Sequence, residues 1–324
     1  MQSKLISQKA IEKIQQSEKI LLVTHTRPDG DAVGSLLGLG LALEEGGHQV
    51  QMVIEDGVPH SLRHLAGSDR ISRKVEGEFD LVIVVDCSDL GRVGKALNGR
   101  PAPDINMDHH ITNEGFAEIN LVDPEAAATV EIVYRLLDEA GLEISKPVAD
   151  ALLTGLITDT IGFRTPNVKP GTLCLAARLV EKGADLAELY RRALVSRSFE
   201  AMKLWGLGLS RLEQAHRMVW ASLTMSDRRA AHYPGRDDAD LINVLSSVED
   251  TDVSLIFVEQ PNGNIKVSWR AQPGFDVAEV AKEFGGGGHA AAAGAEISGS
   301  LSEVQMLVLE RTKLILTGGH YVQS

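Results

Sequence analysis

Residues 20–32 read ILLVTHTRPDGDA, and this stretch decides the fold. Residues 20–24 are an apolar run closed by a polar one, the composition of a strand buried on both faces. Pro28 and Gly30 then permit a tight turn, and apolar periodicity over residues 32–45 predicts a helix. Strand, polar turn and helix in that order open a βα unit. Outward from it the alternation repeats. Residues 49–54 (QVQMVI), 80–85 (DLVIVV) and the region of Ile105 read as further strands, with a second helix over 89–97. The first half is therefore expected to be a mostly parallel sheet covered on both faces. Residues 127–140, 146–156 and 170–182 read as consecutive helices.

Residues 185–214 are helical in pattern and highly charged, as a connector would be. Beyond them, residues 218–224, 253–258 and 265–270 resemble strands, with Asn262–Gly263 as a hairpin turn. A helix over 277–284 ends in the glycine run 285–288, and an amphipathic helix follows over 301–315. The glycines and the alanines after them read as a low-complexity patch between two helical segments. The expected architecture is α/β: a mostly parallel-sheet domain over 1–184, a helical connector over 185–214 and a smaller α/β domain over 215–324.

The chain has 324 residues, 44% of them hydrophobic, and a net charge of −13. No run approaches the roughly 18 apolar residues of a membrane helix. The polar, amphipathic beginning does not read as a signal peptide. Cys87 and Cys174 have no paired spacing, which excludes a disulfide framework and a thiolate zinc site and fits a reducing compartment. Cytoplasm is the expected location, without membrane association. The acidic balance argues against holding long duplex nucleic acid on a broad basic surface. It still allows a small anion in one cleft lined by local cations.

His25, Asp29 and Asp31 offer an imidazole and two carboxylates within seven residues, just past the carboxyl end of a strand, where open α/β sheets bind ligands. A plain turn with Asp31 as helix cap is the alternative. Asp86 ends the run 81–85, Asp108, His109 and His110 follow the strand near Ile105, and Asp159 sits inside the apolar stretch TGLITDT at 154–160. Each has a bland reading as a helix cap or a satisfied core histidine. Together they make a mixed oxygen and nitrogen donor set that suits Mn²⁺ or a similar divalent ion. Crowded carboxylates repel one another unless cations intervene, and two divalent ions balance four of them. That charge count favours a two-metal site able to activate water.

These segments resemble the four motifs of the DHH phosphoesterase family: His25 to Asp31, the strand end at Asp86, Asp108–His109–His110, and the element carrying Asp159. The stretch FGGGGHAAAAG at 284–294 resembles the glycine-rich element of the DHH-associated substrate domain. The layout is most similar to the nanoRNase and phosphoadenosine-phosphate phosphatase branch, with cyclic-dinucleotide phosphodiesterases as neighbours. The resemblance implies that 1–184 is catalytic and 215–324 binds substrate. It implies two divalent ions, Mn²⁺ by preference. His25, Asp29 and Asp86 would hold one, and Asp31, Asp86, His109 and Asp159 the other. Asp86 is thereby a bridging and catalytic ligand. His110 would touch substrate or give a proton to the leaving oxygen, and Asp108 would brace a neighbouring imidazole. Gly286, Gly287, Gly288, His289 and Arg270 would grip phosphate and base from the second domain, with Arg164 a weaker contact and Arg27 either a phosphate contact or a loop brace.

The implied activity is hydrolysis of short oligonucleotides and of adenosine 3′,5′-bisphosphate. Cyclic di-AMP or linear dinucleotide phosphodiesterase is the alternative, and a non-catalytic nucleotide sensor is the alternative of another class. The glycine–histidine tail argues against a manganese pyrophosphatase. Whether the chain works as a homodimer is left open. Ile161 stands where many relatives carry glycine, Ala271 where serine is frequent, and residues 290–293 are plainer than usual, so substrate preference is the less settled part. His48, His60, His64, His216, His232 and His320 read as surface or packing residues. Trp205, Trp220 and Trp269 read as core or interface, although Trp269 beside Arg270 is also placed to stack on a base.

Overall fold

A computed structural model describes residues 2–317, so His320 lies outside the described residues. The chain parts into two compact units between Ser196 and Arg197, within the stretch 185–214. Each has an α/β build.

In chain order the first unit contains α1 (Gln2–Gln15), β1 (Lys19–Val23), α2 (Gly30–Glu45), β2 (Gln49–Val53), β3 (Leu81–Val85), β4 (Ile105–Asp108), β5 (Ile119–Val122), α3 (Thr129–Glu139), α4 (Lys146–Asp159), α5 (Pro170–Glu181) and α6 (Leu186–Tyr190), ending in a π-helical turn at Arg191–Val195. Its five strands form a wholly parallel sheet in the order β2-β1-β3-β4-β5. The strands are short and apolar, and alternate residues feed opposite layers. Ile20, Leu22, Ile83 and Val85 pack against α1 to α4 in the main core. Leu21, Val23, Val53 and Val84 face the other way, under Val93 and Leu97.

That second face carries no α-helix over 89–97, contrary to expectation. Only a 3-10 turn, Leu90–Val93, forms there, capped by Asp89. Gly94 has φ +73°, and a Cβ on it would meet Glu55 Oε2, so the chain turns out of the helical path. β5 was not anticipated. The four residues Ile119–Val122 are too few to set up a readable alternation.

Two glycines set how closely the helices approach. A Cβ on Gly34 would lie 2.6 Å from the Ala151 carbonyl, and one on Gly155 would lie 2.5 Å from Val130 Cγ1. α2 and α4 therefore meet backbone to backbone, which brings the start of α2 to the end of α4.

The second unit contains α7 (Phe199–Leu209), β6 (Glu213–Ala215), β7 (Met218–Leu223), α8 (Met225–Ala231), α9 (Leu241–Leu245), β8 (Val253–Glu259), β9 (Asn264–Ala271), α10 (Val277–Glu283), β10 (Gly287–His289), β11 (Ala292–Ser298) and α11 (Leu301–Thr317). The mixed sheet runs β10-β11-β9-β8-β7-β6. α10 and α11 pack on one face around Phe257 and Trp269, and α7, α8 and α9 on the other around Val219 and Ile256. The expected turn at Asn262–Gly263 joins β8 to β9, with Gly263 at φ +86°. The glycine–alanine patch after α10 forms the β10–β11 hairpin, two strands that the sequence did not announce. Glycine and alanine carry no β signal, and the close strand approach needs them: a Cβ on Gly286 would meet the Gly294 carbonyl, and Gly288 has φ +144°. Among the described residues no helix is long and apolar enough to cross a membrane.

Candidate metal centre

The parallel register lines up the carboxyl ends of β1, β3 and β4. Val23 lies opposite Val84, and Val85 opposite Met107. His25, Asp86 and Asp108 to His110 leave the sheet at one edge, and the α2–α4 contact adds Asp31 and Asp159.

Asp29, not Asp31, caps α2: its Oδ1 accepts the backbone N–H of Asp31 at 3.1 Å and of Ala32 at 3.0 Å. Asp31 is turned inward and almost wholly buried. Its two oxygens accept the N–H groups of Thr129 (2.6 Å) and Val130 (3.1 Å) at the start of α3, where helix dipole and orphan donors favour an anion. Asp86 is held with φ +54°. That strain is typically about 1–3 kcal/mol. Thr129 fixes its carboxylate, the Oγ1–H donating to Oδ1 at 2.9 Å.

The imidazoles are anchored from behind. His25 Nδ1 lies 2.8 Å from the Thr26 carbonyl and its Nε2 3.5 Å from Asp86 Oδ2. His109 Nδ1 lies 3.4 Å from the Ala126 carbonyl, and its Nε2 lies 3.6 Å from Asp159 Oδ2 and 4.0 Å from both Asp31 Oδ2 and Asp86 Oδ1. With Nδ1 donating to a carbonyl, each Nε2 faces the carboxylates: without metal a proton there would bridge to them, and with its loss Nε2 would supply the lone pair a metal ligand needs. His110 differs. Its Nδ1 is hydrogen-bonded to Asp108 Oδ1 at 2.7 Å and lies 3.8 Å from Asp86 Oδ1.

Three groups of donor atoms result: His25, Asp29 and Asp86; Asp31, His109 and Asp159; and Asp86, His109 and His110. Asp86 turns one oxygen toward the first group and the other toward the second. Two ligands about 2.1 Å from a shared ion can be at most about 4.2 Å apart. The separations of 3.5, 3.6 and 4.0 Å fit that span, so these residues could hold divalent metal.

The charges point the same way. Burial, then the charges of Asp86 and Asp159, push Asp31 well above the ordinary carboxylate range. Burial also raises Asp159, to about 7, with His109 pulling it back and Asp86 pushing it further up. Asp29 rises through burial of its carboxyl and the Asp86 charge, with His25 and the Ala32 N–H pulling it back. Asp86 is lowered: burial opposes its charge, but the hydrogen bond with His25 and the charges of His110, His25 and His109 prevail. For His110, burial disfavours the imidazolium, yet Asp108 and Asp86 outweigh it and raise the group to about 9. The protein thus gathers carboxylates that resist ionisation together, and bound cations would relieve that repulsion.

Thr129 and Asn113 were not anticipated from the sequence. Asn113 Nδ2 donates to Asp108 Oδ2 at 2.6 Å and to the Cys87 carbonyl at 3.1 Å, tying the strand end of β4 to that of β3. A threonine opening a helix after three alanines was the only available signal for Thr129.

Arg164 is exposed on the turn after α4, and Arg27 is braced by its N–H on Asp56 Oδ2 at 2.7 Å. In the second unit Arg270 pairs across the sheet with Ala292, and Ala292 with His289. Directly opposed residues share a face, so Arg270 and His289 flank Ala292 on one side of the sheet. Burial lowers Arg270, and Asp238 and Asp240 oppose that shift. Trp269 cannot stack on a base: it is fully buried, and its Nε1–H donates to Thr312 Oγ1 at 3.0 Å.

The DHH family N-terminal domain matches residues 19–156, and the DHHA1 domain matches residues 234–314. The chain is 34% identical, over 94% of its length and 92% of the relative's, to the bifunctional oligoribonuclease and PAP phosphatase NrnA of Thermus thermophilus. It is 27% identical to the protein of that name from Bacillus subtilis, over 89% of this chain and 92% of the relative. Among solved structures, an exopolyphosphatase-related protein from Bacteroides fragilis superposes with a TM-score of 0.90 at 28% identity, covering 97% of this chain and 98% of that one.

Proposed function

The chain belongs to the DHH family, and from that premise we propose that it is a manganese-dependent phosphoesterase hydrolysing short oligonucleotides and adenosine 3′,5′-bisphosphate. The observation that carries the reading is the Asp86 carboxylate, with its two oxygens facing different groups of donors. His25, Asp29 and Asp86 would hold one ion, and Asp31, Asp86, His109 and Asp159 the other. The mixed imidazole and carboxylate set supports Mn²⁺. When bound, the two ions supply Lewis-acid polarisation of the phosphate and of a water.

The chain's own groups do the rest. Water adds to phosphorus and gives up a proton to solvent, the phosphorus–oxygen bond to the leaving group breaks, and His110 gives its Nε2 proton to the departing oxygen, to be reprotonated from solvent. Asp108 holds Nδ1, and in the metal-free protein Asp108 and Asp86 favour the imidazolium form. Arg270, His289 and the backbone of Gly286, Gly287 and Gly288 contact the substrate's phosphate and base, with Arg164 as a further contact. In this proposal residues 1–184 form the catalytic part, 215–324 the substrate-binding part and 185–214 the connector. Both cysteines are unpaired, and a reducing, cytoplasmic setting belongs to the same proposal.

The test is a side-by-side assay with Mn²⁺ on adenosine 3′,5′-bisphosphate, linear di- and pentanucleotides and cyclic di-AMP. Turnover of the first two classes, lost in Asp86→Ala, is expected. Preference for cyclic di-AMP would move the assignment to the cyclic-dinucleotide branch. No turnover of any substrate, with nucleotide still bound, would make the chain a sensor.

A further inference from the structure

Two arginines meet at a cavity in the first unit, beyond the carboxyl end of β2. Gly57, Val58, Arg63, Ser68, Asp69 and Arg73 line a cavity of about 340 Å³, inside the range of small-molecule sites. Among the described residues neither Arg63 nor Arg73 forms an ion pair, whereas Arg70, between them in sequence, pairs with Glu44 at 2.9 Å. In a chain with 45 acidic residues, two guanidiniums at one cavity with no carboxylate in ion-pair reach among the described residues is an unusual arrangement.

Both are held in place. Arg63 Nε–H donates to the Val58 carbonyl at 3.2 Å. The Arg73 guanidinium lies over Gly57, which has φ +77° and where a Cβ would stand 2.9 Å from both Nε and Nη2. Glycine therefore serves twice here, for the turn and for the approach of the cation. Asp69 also lines the cavity, so an anion must seat on the arginine side. The neighbouring Asp56 accepts the Arg27 N–H, which links this segment to the loop carrying His25 and Asp29. Carboxyl ends of parallel strands are where open sheets receive ligands.

We propose that this cavity binds a phosphate group through Arg63 and Arg73, as a site separate from the metal centre. Guanidinium forks match phosphate oxygens in pairs, which favours phosphate over a simple halide. The phosphate could be free inorganic phosphate or part of a nucleotide, and the experiment separates the two.

The full-length protein is held in EDTA, so that no ion at Asp86 can attract phosphate, and titrated calorimetrically with inorganic phosphate and with AMP. Saturable binding near about 1 mM is expected. It should weaken at least about tenfold in Arg63→Gln/Arg73→Gln and fall with added salt. Arg70→Gln should bind as wild type does, and Arg63→Lys/Arg73→Lys should recover part of the loss. Circular dichroism checks that each variant is folded, and Arg73→Gln alone serves if the double variant is not. Tighter binding of AMP identifies a nucleotide as the ligand, and equal or tighter binding of inorganic phosphate identifies the free ion. No saturable binding up to about 20 mM, or unchanged affinity in a folded glutamine variant, overturns the proposal.

Discussion

Thr129→Val removes one hydroxyl and little else. Thr129 is wholly buried at the start of α3, and valine keeps its shape and its backbone N–H. The contact to Asp31 Oδ2 at 2.6 Å therefore survives, while the 2.9 Å donation to Asp86 Oδ1 is lost. A hydrogen bond to a buried charge contributes about 1.5–3 kcal/mol, which is roughly 10–100-fold in an equilibrium constant. The Asp86 oxygen it holds is the one facing His109, so the loss should fall on the ion shared by Asp31, His109 and Asp159. Calorimetric titration with Mn²⁺ should show one of two binding steps weakened by that factor, with turnover falling alongside. Thr129→Ser, which restores the hydroxyl, should recover both. A folded valine variant that binds Mn²⁺ like wild type would refute the claim that Thr129 orients the bridging carboxylate.

Metal affinity should rise with pH from about 5.5 to 8, because ligands must shed protons to bind and Asp159 is raised to about 7. In the metal-free protein, Asp31 and Asp159 bind protons more tightly than in the unfolded chain. Their contribution to stability therefore declines as pH rises from the ordinary carboxylate value through the raised one. Thermal melts in EDTA across that window should show the decline, and Mn²⁺ should restore most at the upper end. Gly155→Ala drives a methyl to 2.5 Å from Val130 Cγ1 and 3.0 Å from Asp31 Oδ1. It should lower stability by about 1–3 kcal/mol in denaturant melts and weaken Mn²⁺ binding. Ile161 has φ +48°, strained for a β-branched residue, so Ile161→Gly should stabilise the fold by about 1 kcal/mol or leave it unchanged. A clear loss would mean that the side chain makes compensating contacts.

The sheet of the first unit was legible because β1 and β3 are apolar runs stopped by Thr24 and Asp86, and because Ile105 and Met107 mark β4 just before His109. Residues that end a buried strand with a charge or an imidazole also mark its ligand edge, so the metal candidates came with the fold. Residues 89–97 misled because their apolar spacing suits a helix, while Gly91 and Gly94 dissolve it. The β10–β11 hairpin was hidden by side chains too small to alternate. Thr129 and Asn113 act on ligands and not on an ion, and such partners are set by tertiary approach, which leaves no spacing in the sequence. Trp269 was ambiguous for a similar reason: its neighbour Arg270 suggested a surface, but period-two alternation along β9 sends Trp269 to the opposite, buried side.

The most direct test is anomalous scattering at the manganese edge from crystals grown with Mn²⁺. Two peaks are predicted, one beside Asp86 Oδ2 with His25 and Asp29, the other beside Asp86 Oδ1 with Asp31, His109 and Asp159. A single peak, or two that share no ligand at Asp86, would contradict the account.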